Sequence, residues 1–325
     1  MPEIRGPISE SGQQPNNTER RGLYDGANRN RGNNMPYLMN ELHLGSMLAQ
    51  TIHPIKNQSG RAPIEILQPG AGNGNLTRMV IENLFNTRYI INAVDSKLGP
   101  DVTNEAAKLG ITYPNTKFYE EDIALYTGDP VDFVVSSFVA GRLSPNAFAN
   151  ISNQMKVGAT WASYDYNVSQ VGDPEVPMTT DMWGLVNDYY ELMGLPTDLE
   201  TTLPRLLVNN GIGKLEIRRV QVPILYGSVH EQSAENAVNW MTITINGLLA
   251  QLSRKLNAMA KDVDSEGNIR QENLLGAWQN KYAEWSGNIN SPEYQQRLYG
   301  QLLAKLIKNK PVKAANAIMI IGKKL

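Results

Sequence analysis

The sequence contains no cysteine. That absence excludes disulfides, thiolate metal centres, iron–sulfur clusters and a cysteine nucleophile together. Histidine is scarce, with 3 in 325 residues, which leaves few imidazoles for base chemistry near neutral pH. An excess of either charge is also missing: 30 Lys+Arg stand against 32 Asp+Glu, a net charge of −2. Without a field of one sign, neither nucleic acid nor a membrane surface is expected as a partner. No apolar run reaches the roughly 18 residues of a membrane span, and residues 1–20 lack the apolar stretch of a signal peptide, so a cytoplasmic protein is expected. What is present is ordinary for a soluble globular chain. Hydrophobic residues make up 41% and charged residues 19%, enough to bury a sizeable core.

Residues 1–33 are rich in Pro, Gly, Asn, Gln and Arg without periodicity, and read as a flexible N-terminal arm. From Pro36, the apolar residues Leu38, Leu42, Met47, Leu48 and Ile52 recur at helical spacing, and Pro54 is expected to close that helix. Short apolar runs then alternate with amphipathic stretches. Ile64–Leu67, Tyr89–Val94, Thr116–Tyr119, Val131–Val135 and Thr160–Tyr164 are strand candidates, with Leu76, Val80 and Leu84 marking a helix between the first two. This alternation predicts an α/β fold with a doubly wound, largely parallel sheet. A sixth strand, Lys214–Val222, follows a helix that stops near Asn209-Asn210-Gly211, and a last one spans Ala314–Ile321. Between these two lie three helical stripes. The first runs from Val238 to Leu256, the second through Leu274, Leu275, Trp278, Tyr282 and Trp285, and the third from Tyr294 to Leu306, opened by the cap-and-proline pair Ser291-Pro292. The expected organisation is an arm over 1–33, a core over 34–222, a helical insertion over 223–310 and a final core strand over 311–325.

The most informative segment is Gln68-Pro69-Gly70-Ala71-Gly72-Asn73-Gly74, directly after the first strand. Alternate glycines between a strand and a helix let backbone approach a ligand where side chains would block it. A dinucleotide fingerprint of the GxGxxG type would need glycine where Asn75 stands, which weakens a nicotinamide or flavin reading. Asp95 closes the second strand, where a carboxylate can accept both hydroxyls of a ribose. Glu121-Asp122-Ile123 follows the third strand, and Ser136-Ser137-Phe138 ends the fourth at the rim where such sheets bind ligands.

In this ordered set the chain resembles the class I S-adenosylmethionine-dependent methyltransferases. The glycine segment looks like the family's first motif, Asp95 like its ribose-binding acid, Asp122-Ile123 like its adenine-contacting pair, and Val131–Phe138 like its fourth-strand motif. The resemblance implies a Rossmann-like sheet of seven strands with the last antiparallel, and S-adenosyl-L-methionine (SAM) as cofactor. The cofactor site would comprise Tyr24 in the arm, Gln68, Gly70, Gly72, Gly74, Asp95, Asp122, Ile123, Ser136 and Ser137. Gln68 departs from the family pattern, which has an acid there to help hold the methionine ammonium; an amide offers no ion pair.

Methyl transfer from a sulfonium needs the acceptor positioned and water excluded more than it needs a large catalytic constellation. A base helps when the acceptor is a hydroxyl. His230, just past the sixth strand, is the first candidate and His43 on the N-terminal helix the second, while His53 beside Pro54 reads as structural or solvated. Tyr164, Asp165 and Tyr166 at the end of the fifth strand are candidates for the acceptor side. The expected function is methyl transfer to a small, secondary-metabolite-like molecule, at oxygen in preference to nitrogen or carbon, under a helical lid. The alternative keeps the SAM pocket without methyl transfer, as a cyclase-type enzyme or a regulatory binding module. No metal is expected, and a second copy of the chain, as a homodimer, is the one protein partner considered. Asp262–Ile269 mimics the start of a calcium-binding loop, but Asn273 stands where the bidentate acid belongs, so a solvated turn is expected.

Overall fold

The computed structural model describes residues 35–58, 62–72, 74–84, 87–98, 113–167, 172–224, 230–265, 267–308 and 310–325. Seven strands form one sheet: β1 (Ile64–Pro69), β2 (Tyr89–Asp95), β3 (Thr116–Glu120), β4 (Val131–Ser137), β5 (Met155–Tyr166), β6 (Ile212–Ile224) and β7 (Val312–Lys324). Their spatial order is β3-β2-β1-β4-β5-β7-β6. β1 to β5 are parallel, and β7 runs antiparallel between β5 and β6. This is the expected α/β sheet with its last strand antiparallel. β1 and β4 are apolar and buried on both faces, as a covered parallel centre requires. The chain leaves β1 toward β2 and β3, then returns to the other side of β1 as β4. That reversal opens a crevice outside the carboxyl ends of β1 and β4.

β6 and β7 run longer than their apolar cores suggest, because they pair with each other from Ile212↔Lys324 to Ile224↔Val312. Backbone pairing adds Ile212, Gly213, Pro223 and Ile224 to the one strand, and Val312, Lys313 and Gly322–Lys324 to the other, where hydrophobicity alone does not.

Among the described residues eight helices accompany the sheet: α1 (Met35–Gln58), α2 (Asn75–Asn83), α3 (Pro145–Asn153), α4 (Pro177–Leu192), α5 (Leu199–Asn209), α6 (His230–Met259), α7 (Glu272–Ile289) and α8 (Pro292–Leu306). α1 runs through Pro54 instead of stopping there. A helical proline orphans the carbonyl four residues back, here that of Gln50. Gln50 is exposed, so water can satisfy that group. One core lies on the face carrying Ile66, Ala162 and Tyr164, filled by Leu48 and Ile52 of α1 and Val80 of α2. The other lies on the face carrying Leu67, Val134 and Trp161, filled by Phe148 of α3 and Leu203 of α5.

α6, α7 and α8 pack on one another, and their apolar residues Leu248, Leu252, Leu275, Leu298 and Leu302 continue the first core. Leu274, expected in the second stripe, is instead exposed while Leu275 and Trp278 are buried. Ser291 caps α8 by accepting the Tyr294 N–H at 3.1 Å. Asp173 fastens this unit to the sheet. It is buried, accepts Lys305 Nζ of α8 at 2.6 and 2.7 Å, and accepts the Lys313 N–H of β7 at 2.8 Å. Between α6 and α7, Val263 and Ile269 pair as a bridge, the Asp264 carboxylate accepts the Asn268 N–H at 2.9 Å, and Arg270 pairs with Asp262 at 3.2 Å. The calcium-like segment is therefore a closed interhelical hairpin.

Candidate functional site

β1 delivers the glycine segment to the crevice. Gly70, Gly72 and Gly74 have φ of 75°, 50° and 75°, a left-handed region that residues with a Cβ rarely adopt. Gly70 also has no room for one: a Cβ there would lie 2.8 Å from Cβ of Val139 in the turn after β4. A Cβ on Gly72 would meet nothing within 4 Å, so the loop faces open space at its centre.

Backbone donors fix the loop, the Ala71 N–H reaching the Val94 carbonyl at 3.3 Å among them. The Gly70 N–H reaches the Val94 carbonyl at 2.8 Å, the Gly74 N–H reaches the Ala71 carbonyl at 2.8 Å, and the Gly72 N–H donates to Asp95 Oδ2 at 2.8 Å. The other oxygen of Asp95 accepts the Lys97 N–H at 3.1 Å. Asp95 thus ties the tip of β2 to the loop, and each carboxylate oxygen retains lone-pair capacity for a further donor. The Asp95 carbonyl accepts the Glu121 N–H at 3.0 Å, which brings the segment after β3 beside it. There Asp122 is exposed and accepts the Ala124 N–H at 2.9 Å, while Ile123 is buried. Asn150 of α3 holds this segment by donating to the carbonyls of Ile123 and Tyr126, both at 2.7 Å.

Gln68 is fully buried, and its Oε1 accepts the Thr77 hydroxyl of α2 at 2.9 Å. Its Nε2 is buried with no partner among the described residues. Ser136 is buried inside the sheet, where it donates to Ser163 Oγ at 3.1 Å and accepts the Trp161 indole N–H at 3.3 Å. Ser137 is half-buried at the end of β4. The structure therefore brings the glycines, Asp95, Asp122 and Ile123 to one edge of the crevice, and turns the Ser136 hydroxyl into the sheet.

Past β4 the chain makes a tight turn. Phe138 has φ of 57°, and its N–H donates to the Tyr164 carbonyl at 2.8 Å. Its ring packs at 5.4 Å from that of Tyr164 and at 4.7 Å, stacked, from that of Tyr166. A 3-10 turn over Ala140–Arg142 follows. Beneath it lies Asp165, buried on the opposite face of β5 from Tyr164, accepting the Ala140 N–H at 2.9 Å. Burial pushes its carboxyl up to about 7, although the Arg142 guanidinium and the N–H groups of Ala140, Gly141 and Val139 pull the other way. Tyr164 is fully buried, and burial raises its hydroxyl well above the ordinary tyrosine value.

His230 is half-buried as the first residue of α6, just beyond the end of β6. β6 points the same way as β5, so this end of the strand is on the loop side of the sheet. His53 is exposed on α1. Tyr24 and the side chain of His43 lie outside the described residues. The turn at Val139–Arg142 is the part of the site that sequence reasoning missed. Its one available signal was position, immediately after a buried strand in the same crevice.

No protein-family model matches the chain, and no curated protein matches it by sequence. It is similar to the solved Haemonchus contortus phosphoethanolamine N-methyltransferase 2, crystallised with phosphomonomethylethanolamine and S-adenosylhomocysteine, at 12% identity and a TM-score of 0.40. That likeness covers 85% of this chain and 52% of that one, so this chain spans about half the length of the Haemonchus enzyme. It is similar to the YcgJ protein of Bacillus subtilis at 15% identity over 85% of this chain and 98% of that one, with a TM-score of 0.42. A third is the [4+2]-cyclase SpnF, at 13% identity over 87% and 80%, with a TM-score of 0.41.

Proposed function

We propose that the chain binds SAM across the carboxyl ends of β1, β2 and β4 and transfers its methyl group to a small-molecule acceptor. The observation that carries this reading is the joint held by Asp95. One carboxylate grips the Gly72 N–H of a three-glycine loop at 2.8 Å and sits at the strand tip where a ribose diol would be met. The residues fit a nucleoside ligand: the loop opens on space at Gly72, and Asp122 and Ile123 flank the far edge for the base. When bound, SAM supplies a methyl group already activated as a sulfonium. The chain then has to hold the acceptor, exclude water and take a proton. An oxygen acceptor is favoured, with His230 as the base and α6, α7 and α8 as the cover over the substrate.

Gln68 favours a second reading on its own observation. An amide engaged by Thr77 offers a ligand ammonium no ion pair, which suits a SAM-binding protein that does not turn the cofactor over. Calorimetric titration with SAM and S-adenosylhomocysteine, followed by incubation with methyl-labelled SAM and a metabolite extract, separates the readings. Binding with label appearing in a small acceptor is the expected result. Binding without any transfer moves the conclusion to the second reading, and no binding to either nucleoside overturns both.

A further inference from the structure

Two features of the crevice meet in one short stretch of backbone. On one side, Val139 abuts Gly70 so closely that even a methyl group on Gly70 would lie 2.8 Å from two of its carbons. On the other, the Ala140 N–H donates to Asp165 Oδ2 at 2.9 Å, and the N–H groups of its neighbours Val139 and Gly141 act on the same carboxylate. A fully buried carboxylate beneath a single 3-10 turn is an expensive arrangement unless the turn must be held. What the turn holds is the side chain resting on the first glycine of the loop.

We propose that Asp165 is a positioning residue for the glycine loop, acting through the turn at 139–141 and the side chain of Val139. This rests on the reading of that loop as the SAM seat. Among the described residues no hydrogen bond joins Asp165 to the loop itself. Its grip sets the height of Val139, and Val139 sets how far Gly70 can move toward β4. The ionised carboxylate accepts the Ala140 N–H with charge assistance and attracts those of Val139 and Gly141, whereas a protonated one has less acceptor capacity and holds the turn more weakly. The titratable and charged groups near enough to act on it are Tyr164, its neighbour on β5, Arg142 from the turn and Tyr190 from α4. Its partner across β7 is the apolar Ile318, and α5 presents the apolar Leu199 to Gly141. The carboxyl therefore titrates under the control of burial and one guanidinium, in the neutral range.

Asp165→Asn keeps the shape and removes the charge. In the full chain, the affinity for S-adenosylhomocysteine is expected to be about tenfold below wild type near pH 8.5, about one charge-assisted hydrogen bond's difference, and to match wild type near pH 5.5. Over the same range the wild type is expected to bind more tightly as pH rises while its Tm falls, because the folded state retains a proton that the unfolded chain has released. A residue that merely stabilised the fold would move affinity and Tm together. Hydrogen exchange at Gly70, Ala71 and Gly72 without any ligand gives the independent readout. Faster exchange in Asp165→Asn near pH 8.5, and in Val139→Ala at both pH values, is expected. Unchanged exchange in either variant, or affinity that tracks Tm, overturns the proposal. If the wild type fails to bind the nucleoside at any pH, the cofactor reading fails, and the exchange comparison still decides the role of Asp165.

Discussion

Asp165 and Asp173 flank the end of β5 and are both buried, yet they ionise in opposite directions. Burial is the first influence on each and favours the neutral acid. At Asp173 it is outweighed by Lys305, bonded to both oxygens, and by the N–H groups of Lys313 and Glu175, so the carboxyl is held below the ordinary value of 3.8. At Asp165 the field of Arg142 and the backbone N–H groups only partly offset burial, leaving it at about 7. A full ionic bond makes a permanent clamp between α8, β7 and the segment after β5. Backbone donors make a grip whose strength depends on pH, and that grip lies next to the glycine loop.

Asp173→Ala leaves Lys305 buried without its main partner and is expected to cost about 3–5 kcal/mol in urea denaturation. The stability that Asp173 supplies is present above about pH 4 and is lost as pH falls through its lowered folded value. Asp165 acts with the opposite sign: its contribution to stability declines from about pH 4 to about pH 7, at about 1.4 kcal/mol per unit at most. Asp165→Asn is expected to flatten that part of the wild-type stability profile, measured by thermal melts across the range. Gly70→Ala attacks the contact that Asp165 supports; the left-handed backbone alone costs about 1–2 kcal/mol, and Val139 must retreat. Calorimetry is expected to show weakened S-adenosylhomocysteine binding in that variant, whereas Asp173→Ala retains it wherever the chain is folded. The smallest effect is expected from Ser291→Ala, about 1 kcal/mol, which loosens the start of the helix that carries Lys305 without touching the pair. A larger loss in denaturation would mean that the clamp depends on the whole of α8.

Much of the fold is legible in the residues because parallel strands buried on both faces read as apolar runs, and Ile64–Leu67 and Val131–Val135 are such runs. The glycine loop is legible for a related reason: three positive-φ positions in a row of alternate residues leave little choice but glycine. Pro54 misleads because its cost depends on whether the carbonyl of Gln50 faces water, a tertiary fact. The ends of β6 and β7 are hidden because they are set by the pairing partner and not by hydrophobicity. Ser136 reads as a rim residue by position, yet its hydroxyl is taken by Ser163 and Trp161, residues far along the chain.

The amino-acid sequence by itself determined the alternation of strands and helices, the neutral and thiol-free chemistry, and the place where backbone can approach a ligand. Those are local properties, carried by periodicity and by residue types with narrow conformational ranges. Only the tertiary structure decided which acid grips the loop, which one bonds a lysine, and that Val139 rests on Gly70. Each of these joins residues from different strands or helices across the sheet, and an ionisable group's behaviour is set by the neighbours that folding assembles around it.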